Sequence, residues 1–403
     1  MEKDRKLNEF IESVQKVLKE SDLRENFPFK DSDVWQSTKE LEQTEYFVLK
    51  KSASHYYFTG LKLIRKKLDE NNVEVSDTYI NNYYFKFIEK QKRTEKNLKE
   101  NCKYFLDGIF SLKPKTFRYL IPMSHYDYRK DLDFGKIRVV RLTDETFEKY
   151  FPNNKDRISI QNIKTLNEGN KTEIFAIVDT ESIEGKNAEE KAYRLVERFI
   201  YGTKLIDPGT FVRLRKNTMI EIHEHVLIKT DTGISNHLLT HNSEGRLTPD
   251  DKFYTKFQPY WDQLVTFLFN DNLNELQEVI LSALYWYGET DFYSDTKVKQ
   301  FLNLITGLEI VILHNSSDIR KKAVPFGKIC ARIFSGDEKY WEFWKKYYFK
   351  RSDIIHQELV DIYKEEIDTL KINLRSILLQ LIEHSKTYDN LSELFKQEFG
   401  INS

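Results

Sequence analysis

The sequence predicts an α+β amino-terminal region followed by an all-α helical bundle. Strand-like runs alternate with amphipathic segments up to about residue 230. A stretch rich in Asp, Thr, Gly, Ser, Asn and Pro then extends from Thr230 to Asp251 and is typical of a linker. Beyond it, apolar residues recur at helical spacing and strand signals vanish. We therefore divide the chain into a mixed region, residues 1–245, and a helical region, residues 246–403.

The mixed region begins with a predicted helix over residues 1–20, whose apolar residues share one face. Tyr46–Leu49 predicts a strand, whereas residues 56–68 and 83–88 fit a helix or a strand. A charged helix is predicted from Phe85 to Leu112, because the Lys113-Pro114 junction cannot continue it. The further elements are a helix over Ala188–Tyr201 and strands at Phe117–Ile121, Ile137–Leu142, Ile174–Val178, Phe211–Leu214 and Met219–Lys229.

The helical region reads as a series of helices joined by short loops, which favours a compact bundle. We expect the long helix near the end to pack against Thr296–His314. The predicted helices are Tyr254–Asn270, Leu273–Tyr287, Thr296–His314, Ile319–Ser335, Tyr340–Tyr348, Ser352–Ser385 and Leu391–Phe399.

Composition limits the classes of function. The 63 basic and 64 acidic residues give a net charge of -1, so any nucleic-acid site must be a local patch. Cys102 and Cys330 are too few for a disulfide framework and too isolated for a thiolate metal site. No apolar signal core follows Met1, and the longest apolar run, Leu302–Leu313, is interrupted by polar residues. We therefore expect a cytoplasmic protein.

Two residues near the end of the chain form a candidate catalytic pair. Arg351 is followed five positions later by His356. A neutral imidazole exchanges protons with ribose hydroxyls near pH 7, and a guanidinium stabilises a pentavalent phosphate. The pair therefore predicts a ribonuclease that needs no metal ion. Five residues turn through about 500° in a helix, which leaves the two side chains about 140° apart. An arginine that projects back over the first turn is long enough to bridge this separation. We therefore expect the two side chains to converge at the start of a helix.

A structural interpretation of the same residues stays open. The apolar residues after His356 recur at spacings of three and four as far as Leu381, and His356 lies on that apolar face. His356 would then be a buried histidine of the bundle, with Arg351 at its rim.

The segment before the motif alternates basic and aromatic residues from Trp341 to Lys350. Such a segment offers phosphate contacts and surfaces on which bases stack. We predict RNA binding by Lys345, Lys346 and Lys350, together with Ser352. Alternatively, half of the aromatic residues belong to the core and the lysines form a solvated face.

Glu309 lies within the apolar run and so is predicted to need a partner. Burying a carboxylate unpaired costs several kcal/mol, roughly. Arg351 and His356 are the expected partners, unless Glu309 lies on an exposed face of its helix.

Three segments in order resemble the HEPN domains of abortive-infection proteins, which serve in single-protein bacterial anti-phage systems. They are Ser282–Tyr287, the helix that contains Gly307-Leu308-Glu309, and Arg351–His356, within about Leu281–Ser385. The resemblance implies an endoribonuclease that needs no metal or other cofactor and acts as a homodimer, with two motifs facing one cleft. His356 would be the general acid or base, Arg351 the phosphate contact and Glu309 the residue that orients one of them.

The resemblance also implies product ends, a 2',3'-cyclic phosphate and a 5'-hydroxyl, and suggests tRNA among the substrates. Ser352 departs from the family, where Asn, Asp or His is usual. Gln357 and Glu358 stand where a related toxin group has a tyrosine, so we expect no antitoxin that acts on that tyrosine. For residues 1–245 the hypothesis is recognition of a phage-derived trigger or restraint of the nuclease.

Two alternatives come from other classes. His223 and His225 alternate on a predicted strand, with His237 and His241 nearby, so a metal-dependent hydrolase could be built there. Asp179, with Glu181, resembles the acidic strand end of other nucleases. A non-catalytic HEPN-like module that only binds RNA or dimerises is the second alternative. The sequence holds no phosphate-binding Gly-x4-Gly-Lys-Ser/Thr loop.

Overall fold

A computed structural model describes most of the chain. The described residues are 2–25, 34–38, 45–71, 73–94, 97–122, 132–141, 143–150, 174–206, 222–230, 233–241, 251–292, 296–314, 322–356 and 360–401. Within these ranges, only the backbone is described for residues 2–4, 35–38, 122, 147, 222–230, 233–241, 251–258 and 291–292.

The chain forms two compact units. The first comprises Met1–Phe117 and Glu181–Glu190, and the second comprises Arg118–Thr180 and Lys191–Ser403. The described residues combine helices and sheets up to His241, and all described elements after it are helical. The predicted order of a mixed region and a helical region is therefore confirmed. The predicted boundary between residues 245 and 246 lies outside the described residues and stays a prediction.

Among its described residues, the first unit contains four complete helices and a three-stranded sheet, in which β3 lies between β1 and β2 and is antiparallel to both. The predicted amino-terminal helix and the strand at Tyr46 are confirmed, and both ambiguous segments are helical. Its elements are α1 (Glu2–Lys19), β1 (Ser21–Arg24), β2 (Val34–Thr38), β3 (Tyr46–Lys50), α2 (Ser54–Glu70), α3 (Asp77–Thr94) and α4 (Leu98–Phe110).

The single charged helix predicted from Phe85 to Leu112 is wrong. Asn97 has a φ of 51°, in the left-handed region, so the chain cannot continue as one helix there. Asparagine adopts this conformation more readily than most residues. Helix α3 therefore ends at Thr94, and α4 begins at Leu98.

Aromatic side chains fill the core of the first unit. The rings of Tyr57 and Tyr84 lie 4.8 Å apart, and those of Phe10 and Phe105 stack at 5.9 Å. Helices α2 and α3 approach closely at Gly60, where an added Cβ would overlap the Tyr84 hydroxyl. The free thiol of Cys102 is also buried here, which raises its pKa to about 12.

A six-stranded sheet in the order β5-β6-β7-β4-β8-β9 supplies the strands of the second unit. Strands β5, β6 and β7 pair antiparallel, as do β4, β8 and β9. The predicted strand Phe211–Leu214 lies outside the described residues. The strands are β4 (Lys115–Pro122), β5 (Leu132–Asp133), β6 (Ile137–Arg141), β7 (Ile174–Ser182), β8 (Ile222–Thr230) and β9 (Gly233–His241), with the short helix α5 (Asp144–Tyr150) between β6 and β7.

The prediction of a linker from Thr230 to Asp251 is wrong for its first half. Strand β9 pairs along its whole length with β8, and Thr230 lies opposite Gly233. The polar residues from Gly233 to His241, which suggested a linker, thus form a strand of a hairpin.

Asp179 in β7 is the centre of an ion-pair network within the sheet. Its carboxylate accepts two hydrogen bonds from Arg118, at 2.5 and 2.8 Å, and one from Arg138 at 2.9 Å. Burial acts to raise the pKa of Asp179, but these arginines outweigh it and the pKa is lowered. The carboxylate that resembled a nuclease ligand is therefore engaged by two cations, while Glu181 is exposed.

The remaining helices lie in the second unit, except that the first of them, Gly185–Ile206, begins in the first unit and enters the second after Glu190. Helix α9 packs against α8, α11 and α12, so the predicted packing of the long late helix against Thr296–His314 is confirmed. None of the described helices is both long enough and apolar enough to span a membrane. The helices are α6 (Gly185–Ile206), α7 (Asp251–Leu268), α8 (Glu275–Phe292), α9 (Lys297–Ile312), α10 (Ala323–Cys330), α11 (Trp341–Ile355), α12 (Lys364–His384) and α13 (Leu391–Glu398).

Three predicted helices have clearly different limits. The helix predicted over Tyr340–Tyr348 extends from Trp341 to Ile355. The helix predicted over Ile319–Ser335 begins at Ala323 and changes to a π-turn at Ala331–Ser335. The helix predicted from Ser352 to Ser385 is two helices, because α11 ends at Ile355 and α12 begins at Lys364.

A pair of glycine substitutions tests the close approach of α2 and α3. We expect Gly60→Ala to lower the free energy of unfolding by about 1–3 kcal/mol, because the methyl group must displace the buried Tyr84 ring. Gly108→Ala is the matched control, since a Cβ there meets only the Tyr83 hydroxyl at 4.0 Å. Alanine should stabilise that helix by about 0.5–1 kcal/mol. Urea unfolding followed by circular dichroism measures both, and equal effects would contradict the packing.

The Asp179 network predicts a dependence on pH. Because its folded pKa lies below the unfolded value, its stabilisation is present above the unfolded pKa and is lost as pH falls through the folded pKa. Asp179→Asn should lower the free energy of unfolding by about 1–3 kcal/mol at neutral pH and progressively less below about pH 4. Asp133→Asn, at a carboxylate with 63% exposure, should cost under about 1 kcal/mol. A pH-independent effect of Asp179→Asn would rule out the proposed linkage.

Candidate functional site

The Arg351/His356 motif lies at the end of a helix, not at the start of one. Arg351 belongs to the last turn of α11, and His356 caps that helix with φ -83° and ψ 13°. The His356 backbone N–H donates to the Ser352 carbonyl at 3.0 Å. The predicted position at the head of the most regular helix is therefore wrong.

Helix α12 has a capping interaction at its amino terminus. The backbone N–H of Tyr363 donates to the Glu366 carboxylate at 2.9 Å, and Glu365 adds a second acidic residue to the first turn. Negative charge at a helix amino terminus is stabilising. Tyr363 is 58% exposed and His356 is also exposed, so the prediction that they lie on a buried apolar face is wrong.

Glu309 and Arg351 form an ion pair between α9 and α11. Arg351 Nε lies 3.1 Å from Glu309 Oε2, with side-chain exposures of 25% and 16%. The Nε–H is not aligned with a described acceptor, so the attraction is electrostatic rather than a directed hydrogen bond. The predicted cationic partner of Glu309 is therefore Arg351.

Tyr348 is a third member of this cluster, which sequence reasoning did not single out. Its ring lies 6.0 Å from Arg351 Cζ and 5.5 Å from the Phe326 ring of α10. Burial and the Glu309 charge raise the pKa of Tyr348, while Arg351 opposes them. The three-residue spacing of Tyr348 and Arg351 on one helix was the available signal.

His356 is separate from this cluster. Among the described side chains, none forms a hydrogen bond or ion pair with its imidazole. Five residues turn about 140° around α11, so Arg351 faces α9 while His356 lies on another side of the helix. Phe349, seven positions earlier, is exposed on that side, and Lys346, about 80° further round the helix, is also exposed. Within one chain, Glu309 therefore pairs with Arg351, whereas the His356 imidazole forms no described hydrogen bond or ion pair with either residue.

The lysines predicted to bind RNA have different environments. Lys350 bonds both oxygens of Glu366 at 2.7 Å and lies over the Tyr363 ring at 5.4 Å, which ties α11 to α12. Lys345 lies over the Trp341 ring at 4.5 Å. Lys346 is exposed and has no ion pair within the described residues. It is the lysine best available to a phosphate.

The aromatic residues of α11 divide as the structural alternative expected. Trp344 and Tyr347 are buried, whereas Phe343 and Phe349 are each 48% exposed. Ser352 is partly exposed, and its carbonyl is used by the His356 cap. Part of the segment is core, and the rest remains accessible.

Strand register separates the four histidines of the metal alternative. His223 is opposite Thr240, whereas His237 is opposite Val226 and His241 is opposite Ile222. Paired positions of antiparallel strands share a face and neighbouring positions alternate, so positions 223 and 225 lie on one face and 237 and 241 on the other. The hairpin does not bring all four to one site. No group of three or more His, Cys, Asp or Glu among the described side chains is placed to hold a metal ion.

No protein-family model matches the chain, and neither curated proteins nor solved structures yielded a match. The functional argument therefore depends on the geometry of the site itself.

A double-mutant cycle tests the Glu309–Arg351 pair. We expect Glu309→Gln and Arg351→Gln to show a coupling free energy of about 1–2 kcal/mol, because each single change leaves a half-buried charge unpaired. The control is the Lys328–Glu338 pair, whose side chains are 50% and 55% exposed and should couple by under about 1 kcal/mol. Urea unfolding of the four variants measures each cycle. Additive effects at 309 and 351 would show that the ion pair does not form.

Proposed function

We propose that this chain is a metal-independent endoribonuclease of the HEPN type that serves a bacterial abortive-infection system. The supporting observation is the ion pair that holds Arg351 on Glu309 at the end of the helix that also carries the exposed His356. A guanidinium fixed by a carboxylate and an accessible imidazole on the same helix are the two groups that RNA cleavage without a metal requires.

The roles follow from the contacts. Glu309 lies against Nε of Arg351, and no described side chain bonds the two terminal nitrogens, so these remain for a phosphate. His356 accepts the proton of a ribose 2'-hydroxyl, whose oxygen attacks the adjacent phosphorus. The bond from phosphorus to the 5'-oxygen breaks, and an imidazolium protonates that oxygen. The products are a 2',3'-cyclic phosphate and a 5'-hydroxyl.

The site is completed by a second copy of the chain. Arg351 and His356 point to different sides of α11, so one chain does not direct both at the same phosphate. A twofold axis next to α11 would bring His356 of one copy to Arg351 of the other, so that each of two sites holds one imidazole, which takes and then returns the proton, and one guanidinium. Phe343 and Ile355 of α11 are 48% and 52% exposed, which supports burial of this helix against a partner.

The substrate is an RNA with an unstacked segment. Lys346 is available to a backbone phosphate, and Phe349 offers an exposed ring to a base on the same side of α11 as His356. The loops of tRNA present such bases, which agrees with the substrate that the HEPN resemblance suggests. Lys345, Lys350 and Ser352 would border the RNA path rather than anchor it.

A regulatory role is proposed for the first unit. Residues 118–180 and 191–206 belong to the second unit, which leaves Met1–Phe117 and Glu181–Glu190 to recognise a phage-derived trigger. This proposal narrows the region assigned to sensing from residues 1–245.

The test is cleavage of labelled tRNA by the purified full-length protein in excess EDTA, with analysis of the product ends. We expect cleavage by the wild type that leaves cyclic phosphates. His356→Ala and Arg351→Ala should each lower the rate at least about 100-fold, because each removes a group that acts in the transition state.

His384→Ala is the matched control, because His384 lies on α12 and pairs with Glu398 at 3.7 Å. It should retain wild-type activity. Cleavage that EDTA abolishes would exclude the proposed mechanism. Wild-type RNA binding without cleavage, also in phage-infected cell extract, would favour the non-catalytic binding module.

A further inference from the structure

A cavity of about 930 Å³ lies between α6 and α8 in the second unit. The proposed ribonuclease site uses none of its residues. The residues relevant to a ligand are Arg194, Glu197, Arg198, Tyr285, Trp286 and Glu289. Its volume is within the range of small-molecule sites, about 300–1,000 Å³.

Two arginines on one wall lack a counter-ion. Arg194 and Arg198 are one helical turn apart on α6, and neither forms an ion pair with the side chains that the structure describes. Arg198 only donates to the Leu268 carbonyl at 3.4 Å. Asp271 is the carboxylate that acts electrostatically on Arg198, but Lys136 binds it at 2.5 Å.

This pair of like charges favours an anion. Burial lowers the pKa of Arg198, and the charge of Arg194 lowers it further, which means that the local surroundings do not fully compensate the guanidinium. A phosphate between the two would supply several acceptor oxygens to their forked donors.

An exposed aromatic pair forms the wall on α8. Tyr285 is 45% exposed, and its ring meets that of Trp286 edge-on at 5.4 Å and that of Tyr201 at 5.9 Å. Because it is 45% exposed and lines the cavity, the Tyr285 side chain is accessible to a ligand there. A planar base can stack on such a side chain.

Three carboxylates also line the cavity, those of Glu197, Glu278 and Glu289. Glu289 accepts a hydrogen bond from the Tyr201 hydroxyl. Burial raises the pKa of Glu289, and the Glu197 charge raises it too, while Tyr201 and Lys204 act in the opposite direction. Groups with ribose-like hydroxyls or exocyclic amines suit acceptors of this kind.

The cavity therefore combines two cations, an aromatic surface and three carboxylates. A ligand that is only anionic would be repelled by the carboxylates, and a purely apolar one would offer no partner to Arg194 and Arg198. We propose that this cavity binds a nucleoside phosphate, with its phosphate on Arg194 and Arg198, its base on Tyr285 and its amino or hydroxyl groups on Glu289.

Isothermal titration calorimetry of the full-length protein tests the proposal, with AMP, GMP, inorganic pyrophosphate and guanosine as probes. We expect saturable binding of at least one nucleotide below about 1 mM. The double change Arg194→Gln/Arg198→Gln should weaken nucleotide and pyrophosphate binding at least about tenfold. Tyr285→Ala should weaken the nucleotide alone, because pyrophosphate has no base to stack.

Arg332→Gln is the matched control, because Arg332 is an exposed arginine of the same unit outside the cavity. It should bind like the wild type, and thermal melting should confirm that every variant is folded. Failure of both nucleotides to bind saturably, or unchanged affinity in the double arginine variant, would overturn the proposal. Binding of short single-stranded RNA through these arginines, without binding of mononucleotides, would do so too.

Discussion

The Glu309–Arg351 ion pair is the interaction on which the candidate site depends. Glu309 lies on α9, the helix that packs against α8, α11 and α12. An unpaired carboxylate with 16% exposure in such a helix would be costly, so the guanidinium on α11 stabilises the packing as well as the site. The position of Arg351 is therefore set by the core of the second unit rather than by a loop.

The close packing of α9 links the two candidate sites. The neighbouring helices leave no room for a side chain at Gly307, two residues before Glu309. A Cβ added there would lie 2.7 Å from Leu374 Cδ2 of α12 and 3.4 Å from Trp286 Cβ of α8. Trp286 also lines the cavity proposed for a nucleoside phosphate. A shift of α8 on ligand binding would thus press on the helix that carries Glu309, which offers a physical route between ligand and nuclease.

Periodicity predicted the helices of the second unit but not their interruptions. The pattern through Leu381 is continuous, yet the chain leaves the helix after Ile355, because the break depends on the Tyr363–Glu366 cap rather than on a glycine or proline. The partner of Glu309 was predicted correctly, since one of two cationic residues had to meet a carboxylate in an apolar run. The separation of His356 from Arg351 was not predicted, because it follows from where α11 ends.

Features that depend on which segments pair or pack together could not be predicted from the sequence. The β8–β9 register, which divides the four histidines between two faces, is set by a hairpin that looked like a linker. The cavity arginines are four residues apart on a predicted helix, a visible spacing, but their lack of counter-ions appears only once α6 lies against α8.

The central claim is that Arg351 of one copy and His356 of another act on the same phosphate. The most direct measurement mixes the inactive variants Arg351→Ala and His356→Ala in equal amounts under conditions of subunit exchange and follows RNA cleavage in EDTA. Half of the dimers then pair the two variants, and each holds one intact Arg–His combination across the interface, so about a quarter of wild-type activity should return. An inactive mixture, alongside a wild-type sample that exchanges subunits and cuts RNA, would contradict the shared site.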